Sequence, residues 1–257
     1  MHLEYVQLGL VTLNYRSRTL GVIHRPNCTI QEMGMQPVRE DLLIGISDYI
    51  DRLFVPPDDA LEQNLKDTDA AGMPAIAISP SQGRLMYILV KMTGAKRVLE
   101  IGTLGGYSTT LLARALPADG KVVTLELKPE HEVVARKNLD RAGVGGMVEI
   151  RVGKAGETLD AMIKAGEEPF DFVFIDADKI GYAGYLNQVM QLSHSGTVIV
   201  GDNLIRHGDI LKATPPDEMA AGVTAYNKLI ATDPRLESIL LPILKDKIDG
   251  MSISRVK

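Results

Sequence analysis

The chain has 257 residues, 45% of them hydrophobic, and a formal net charge of -5, so it can bury one large core but lacks the basic runs that hold a nucleic-acid backbone. Its single cysteine, Cys28, excludes an intramolecular disulfide framework and a cysteine-rich zinc site, which fits a reducing compartment and makes the cytoplasm the expected location. No apolar run approaches the roughly 20 residues a membrane-spanning helix needs, and residues 1–16 lack the basic and apolar regions of a signal peptide.

Residues 1–34 show no sustained period and read as an N-terminal appendage of unassigned role, with Met35 a candidate natural start. Residues 35–257 read as one domain. A helix is predicted over 41–53, where Leu42, Leu43, Ile46, Ile50 and Leu53 recur at helical spacing before Pro56-Pro57, and another over 60–70. These helices are expected to cover the sheet or a partner subunit. Ser79-Pro80-Ser81-Gln82-Gly83 then reads as the cap and first turn of a helix running through Met92.

From there strands and helices alternate. Strands are predicted at 97–101, 122–126, 148–152, 170–176 and 197–202, and helices at 108–116, 129–142, 157–165 and 182–192. This pattern is that of a doubly wound, mostly parallel α/β sheet. Alternating residues at 236–242 and 251–256 enclose Asp246-Lys247-Ile248-Asp249-Gly250 and read as an antiparallel hairpin added to the sheet edge.

Two apolar strands end in acids, Phe-Ile-Asp-Ala-Asp-Lys through Lys179 and Gly201-Asp202-Asn203. Asp176, Asp202 and Asn203 should therefore emerge together at the carboxyl ends of neighbouring strands, where open α/β sheets bind ligands. Three hard oxygen donors there suggest a divalent cation, with magnesium, manganese or calcium suited to them. The first strand runs into Gly102-Thr103-Leu104-Gly105-Gly106, a turn where a ligand can approach bare backbone. It lacks both the Gly-x-Gly pair that cradles a pyrophosphate and the P-loop ending, which disfavours a nicotinamide oxidoreductase and a nucleoside triphosphatase. Glu126, at the end of the second strand, suits ribose hydroxyls. A ribose without a pyrophosphate points to S-adenosylmethionine.

The ordered set, 98–108 with its Glu-Ile-Gly-Thr-Leu-Gly-Gly-Tyr-Ser turn, the stretch ending at Lys179, and Gly201-Asp202-Asn203, resembles the cation-dependent catechol and caffeoyl-coenzyme A O-methyltransferases and their bacterial relatives. The resemblance spans about residue 37 to the C-terminus and implies a seven-stranded class I methyltransferase sheet with a reversed terminal hairpin. Carried over by position, it sets Glu100, Gly102, Tyr107 and Ser108 around the methionine end of the donor. Glu126 would take the ribose, Gly153 and Ala155 the adenine, and Asp178 the border of the donor site. Asp176, Asp202 and Asn203 match the metal ligands, and Lys179 matches the proposed general base, so Lys179 and Asp176 are the expected catalytic pair. Ser79 and Gln82 match a segment lining the cleft. The implied partners are a small phenolic diol and a second subunit in a homodimer, with no nucleic acid or membrane.

Each residue also has an ordinary role open to it. Glycines at such a turn serve close packing, acids at strand ends cap helices, and a lysine in that position is often simply solvated. His207 reads as a surface-loop residue, with a place in the acceptor pocket as its alternative, and His131 and His194 read as structural or solvent-facing. A metal-independent methyltransferase acting on another small nucleophile stays open, as does a non-catalytic S-adenosylmethionine or nucleoside sensor.

Overall fold

The structure, a computed structural model, describes residues 40–244 and 248–257. The appendage at 1–34 with Cys28, Met35 and residues 245–247 lie outside the described residues. Helices α1 (Glu40–Phe54), α2 (Asp59–Ala70) and α3 (Pro80–Thr93) precede the alternating body. That body runs β1 (Arg97–Ile101), α4 (Tyr107–Ala115), β2 (Lys121–Glu126), α5 (Pro129–Arg141), β3 (Val148–Val152), α6 (Ala155–Ala165), β4 (Phe170–Ile175), α7 (Tyr182–Val189) and β5 (Ser193–Gly201). Helix α8 (Glu218–Thr232) and strands β6 (Leu236–Leu244) and β7 (Ile248–Val256) complete it.

The sheet has the order β3-β2-β1-β4-β5-β7-β6; its first five strands are parallel, and β7 runs antiparallel to both its neighbours, β5 and β6. Its central strands are continuous apolar runs because helices bury both faces. Successive side chains alternate between two cores. Val98, Phe172, Phe174 and Val200 pack with Met86, Val90, Leu112 and Leu139 beneath α3 to α5. Leu99, Ile101, Val173 and Ile175 pack with Leu159, Leu186, Val223 and Tyr226 beneath α6 to α8. Each such side chain contributes on the order of 1.5–3 kcal/mol by leaving water.

Two local readings change. The sequence reading left 203–235 unassigned, but α8 occupies 218–232 with Ala220, Val223, Tyr226 and Ile230 buried. Smallness is required at one point of it: a Cβ on Gly222 would lie 2.2 Å from the Lys179 carbonyl oxygen. The terminal hairpin is also longer than predicted. Asp249 and Gly250 belong to β7, opposite Ile243 and Pro242, rather than to a turn.

Helix α1 keeps Leu43 buried, while Leu42, Tyr49, Leu53 and Phe54 are each more than half exposed. No helix among the described residues is long and apolar enough to cross a membrane.

Two helical glycines should respond in opposite directions to the same substitution. Gly222→Ala should destabilise the protein by about 1–3 kcal/mol through backbone overlap. Gly184, in α7, has open space around its missing Cβ, so Gly184→Ala should stabilise it by about 0.5–1 kcal/mol. Urea unfolding of both variants beside wild type is the check; equal effects of one sign would contradict the packing described.

Candidate active site

The ends of the parallel strands are stitched in steps. Gly102 N–H donates to the Leu125 carbonyl at 2.9 Å, Asp176 N–H to that of Ile101 at 2.9 Å, and Asp202 N–H to that of Ile175 at 3.1 Å. Each strand therefore releases its first post-sheet residue beside its neighbour's, and the side chains of Asp176 and Asp202 converge. They open into a cavity of about 650 Å³ that is also lined by Gly102, Tyr107, Ser108, Glu126, Asp178, Lys179, Asn203 and Gln82.

At one end of the cavity lies the acidic corner. Lys179, almost buried, donates from Nζ to Asp176 Oδ1 at 2.9 Å and to the Tyr182 hydroxyl oxygen at 2.6 Å. The Tyr182 hydroxyl lies 3.0 Å from both the Ile175 and Asp202 carbonyls, and its burial, with the nearby aspartates, keeps it un-ionised. Gln82 closes a capping box on Ser79 at the start of α3, accepting from the Ser79 N–H at 3.0 Å. Its amide nitrogen then donates to Asp202 Oδ1 at 2.9 Å. Burial, reinforced by the charge of Asp176, pushes the Asp202 carboxyl well above the ordinary range. Asn203 stands in the left-handed region at φ 59°, and its amide N–H₂ faces Asp202 Oδ2 at 3.4 Å.

The glycine turn forms the middle of the cavity. Gly102, at φ 107°, leaves no room for a side chain, since a Cβ would lie 2.0 Å from the Asp176 carbonyl oxygen. Two amides pin the Gly105 carbonyl, Asn64 Nδ2 of α2 at 2.7 Å and Asn138 Nδ2 of α5 at 2.9 Å. Beyond the turn, Glu126 accepts the Leu104 N–H at 2.8 Å and the Lys128 N–H at 3.0 Å, with His131 Nδ1 3.2 Å from its Oε1.

Three of the expected site residues do not line the cavity. Glu100 is fully buried behind the turn, where Ser108 Oγ donates to it at 2.6 Å, Thr124 Oγ1 at 2.7 Å, and Thr109 Oγ1 donates as well. Gly153 extends β3 through its N–H to the Glu126 carbonyl at 2.8 Å, and Ala155 opens α6. Asp178 does line the cavity; it also accepts the Gly181 N–H at 2.9 Å and the Tyr185 hydroxyl.

The model of the O-methyltransferase family matches residues 55–257. A catechol O-methyltransferase of Niastella koreensis is 41% identical over 214 residues, 83% of this chain and 97% of that protein. A catechol O-methyltransferase of Mycobacterium tuberculosis is 42% identical over 226 residues, 88% and 99% respectively. The chain belongs to the O-methyltransferase family. An O-methyltransferase from Bacillus cereus, solved in complex with SAH, superposes with a TM-score of 0.83 at 40% identity, covering 85% of this chain and all of that one. The fold is that of class I methyltransferases, and the protein is an S-adenosylmethionine-dependent O-methyltransferase.

Asn64, Thr68 and Asp249 line this methyltransferase cavity without belonging to any motif the sequence displays. Asn64 and Thr68 are polar residues on the buried face of α2 beside Leu61, and such misfits at core positions are the signal that finds them. His131 is buried against Glu126 rather than solvent-facing. His194 lies in β5 and pairs with Asp171 at 2.9 Å. His207, exposed, reaches the cavity rim on a loop with left-handed Arg206 and His207. Asp249 arrives from the terminal hairpin, and no local pattern connects that hairpin with the acidic strand ends. Among the described residues no three His, Cys, Asp or Glu side chains gather as a metal cluster. The acidic corner is two carboxylates and an amide.

Burial pushes the Glu100 carboxyl from 4.5 up to about 7 against the three hydroxyl bonds that oppose the shift. Between those values the unfolded chain has released the proton while the folded one still holds it, so stability falls as pH rises through that window. Glu100→Gln should flatten this fall. Urea unfolding across the window in chelator would test it, and an unchanged pH slope would refute the buried-acid account.

Proposed function

We propose that this enzyme transfers the methyl group of S-adenosylmethionine to one hydroxyl of a vicinal phenolic diol, with a divalent cation, magnesium by preference, held by Asp176, Asp202 and Asn203. The observation that carries this reading is the acidic corner: two carboxylates from adjacent strand ends share a largely buried space with a single ammonium, Lys179. A buried acidic pair of that kind calls for further positive charge. Two carboxylates and an amide carbonyl are hard oxygen donors, which fit magnesium, manganese or calcium. The chemistry a cation supplies at such a site is to favour the phenolate and fix the two adjacent oxygens.

The protein's own groups account for the remainder. Glu126 holds ribose hydroxyls through the lone pairs left free by Leu104 and Lys128, and the bare backbone of the glycine turn admits the methionine end of the donor. Gln82 fixes the Asp202 carboxylate. Lys179 is the base for the acceptor's hydroxyl proton, its Nζ held in place by Asp176 and Tyr182. The oxygen–carbon bond forms as the carbon–sulfur bond breaks, and the sulfonium leaves as a neutral thioether, so holding the two reactants in line supplies much of the rate. The catechol O-methyltransferase names of the relatives support the diol as acceptor. Homodimerisation belongs to the same reading and draws support from the exposed apolar face of α1.

The test is transfer from labelled S-adenosylmethionine to catechols, caffeoyl derivatives and single-hydroxyl controls, with and without chelator. Diol-selective turnover that stops on chelation and returns with magnesium is expected. Turnover indifferent to chelation would leave a metal-independent methyltransferase, and donor binding without turnover on any acceptor would favour a sensor. Lys179→Met should lower kcat by roughly 10²–10⁴-fold, the range for loss of a general base, with donor binding by calorimetry retained. A variant as fast as wild type would remove Lys179 from the chemistry.

A further inference from the structure

The segment after Asp202 has an unusual backbone. Asn203 sits at φ 59° and Arg206 at φ 46°, two non-glycine residues in the left-handed region within four positions. Such conformations persist only where surrounding contacts over-determine them. Here the contacts converge on one atom. Asp249 Oδ1, on β7, accepts the backbone N–H groups of Ile205 and Arg206 at 3.1 Å each and of Gly250 at 2.8 Å. Beside it the Leu204 N–H donates to the Gly250 carbonyl at 2.9 Å, and Asn227 Nδ2 of α8 donates to the Leu204 carbonyl at 2.9 Å. Gly250 is small of necessity, because a Cβ there would lie 2.5 Å from the Ile205 side chain.

We propose that Asp249 is a positioning residue for the cation site, its Oδ1 clamping the 203–206 loop so that the Asn203 amide is presented beside Asp176 and Asp202. The inference rests on the cation reading given under Proposed function. On this account the terminal hairpin does more than extend the sheet: β7, the neighbour of β5, carries the group that shapes the ligand loop leaving β5. What matters is an acceptor oxygen at that point, and its charge is secondary.

The distinction can be measured with manganese as the probe, on the full chain with S-adenosylhomocysteine present, reading bound and free ion by electron paramagnetic resonance and donor-site occupancy by calorimetry. Asp249→Ala should weaken manganese binding by roughly 10-fold or more, the usual cost of losing a group that orients a metal ligand, with S-adenosylhomocysteine affinity within about twofold of wild type. Asp249→Asn keeps a carbonyl oxygen in place and should bind manganese within about threefold of wild type. Asp249→Glu keeps the charge but moves the oxygen by one methylene, and should weaken binding as the alanine does. It also serves if Asp249→Ala does not fold. Loss in the asparagine variant with retention in the glutamate variant would overturn the clamp in favour of a charge effect. Manganese affinity unchanged in the alanine or glutamate variant would overturn it outright. Absence of manganese binding by wild type would instead overturn the cation reading beneath it.

Discussion

The site depends on the register of the parallel strands. Because Ile101 pairs with Ile175 and Ile175 with Gly201, the three strands leave the sheet side by side, and the following residues are joined by the next rungs of the same ladder. Two aspartates are thereby brought together without any local contact between their segments. The same register makes Gly102 obligatory, since the chain leaving β1 passes against the Asp176 carbonyl with no space for a side chain. A shift of one residue would turn every side chain of a strand to the opposite face, and the two packed cores forbid that.

Two buried acids show how environment divides one chemical type into two roles. Glu100 is surrounded by hydroxyl donors behind the glycine turn and has no access to the cavity. It ties β1 to β2 and α4, so it supports the turn from behind. Asp202 is equally deep but faces Asp176, Gln82 and the cavity, with fewer donors to offset its burial. The first is a satisfied structural group; the second is an electrostatic demand that a ligand can meet.

Elements distant in sequence enclose the strand ends. Helix α2 reaches the glycine turn through Asn64, with Asp67 tied to Arg141 of α5 at 2.5 Å. Helix α3 supplies Gln82, α8 rests on the Lys179 backbone at Gly222, and the hairpin supplies Asp249. The sheet thus sets the position of the chemistry, while helices and hairpin set the shape of the space above it.

The alternation of apolar runs and helical stripes was legible in the amino-acid order, because strand and helix periods are local properties of the chain. So were the acidic strand ends, the glycine turn and the Ser79–Gln82 cap, each of which sits where a run terminates. Helix α8 was harder to see: Ala220 and Gly222, small where close packing requires it, dilute the apolar stripe that Val223, Tyr226 and Ile230 continue. The sequence by itself determined where the strands end and which residue types stand there. Only the tertiary structure decided that Glu100 turns away from the cavity, that His131 meets Glu126, and that Asp249 reaches the Asn203 loop, since those contacts join segments whose separation no local period encodes.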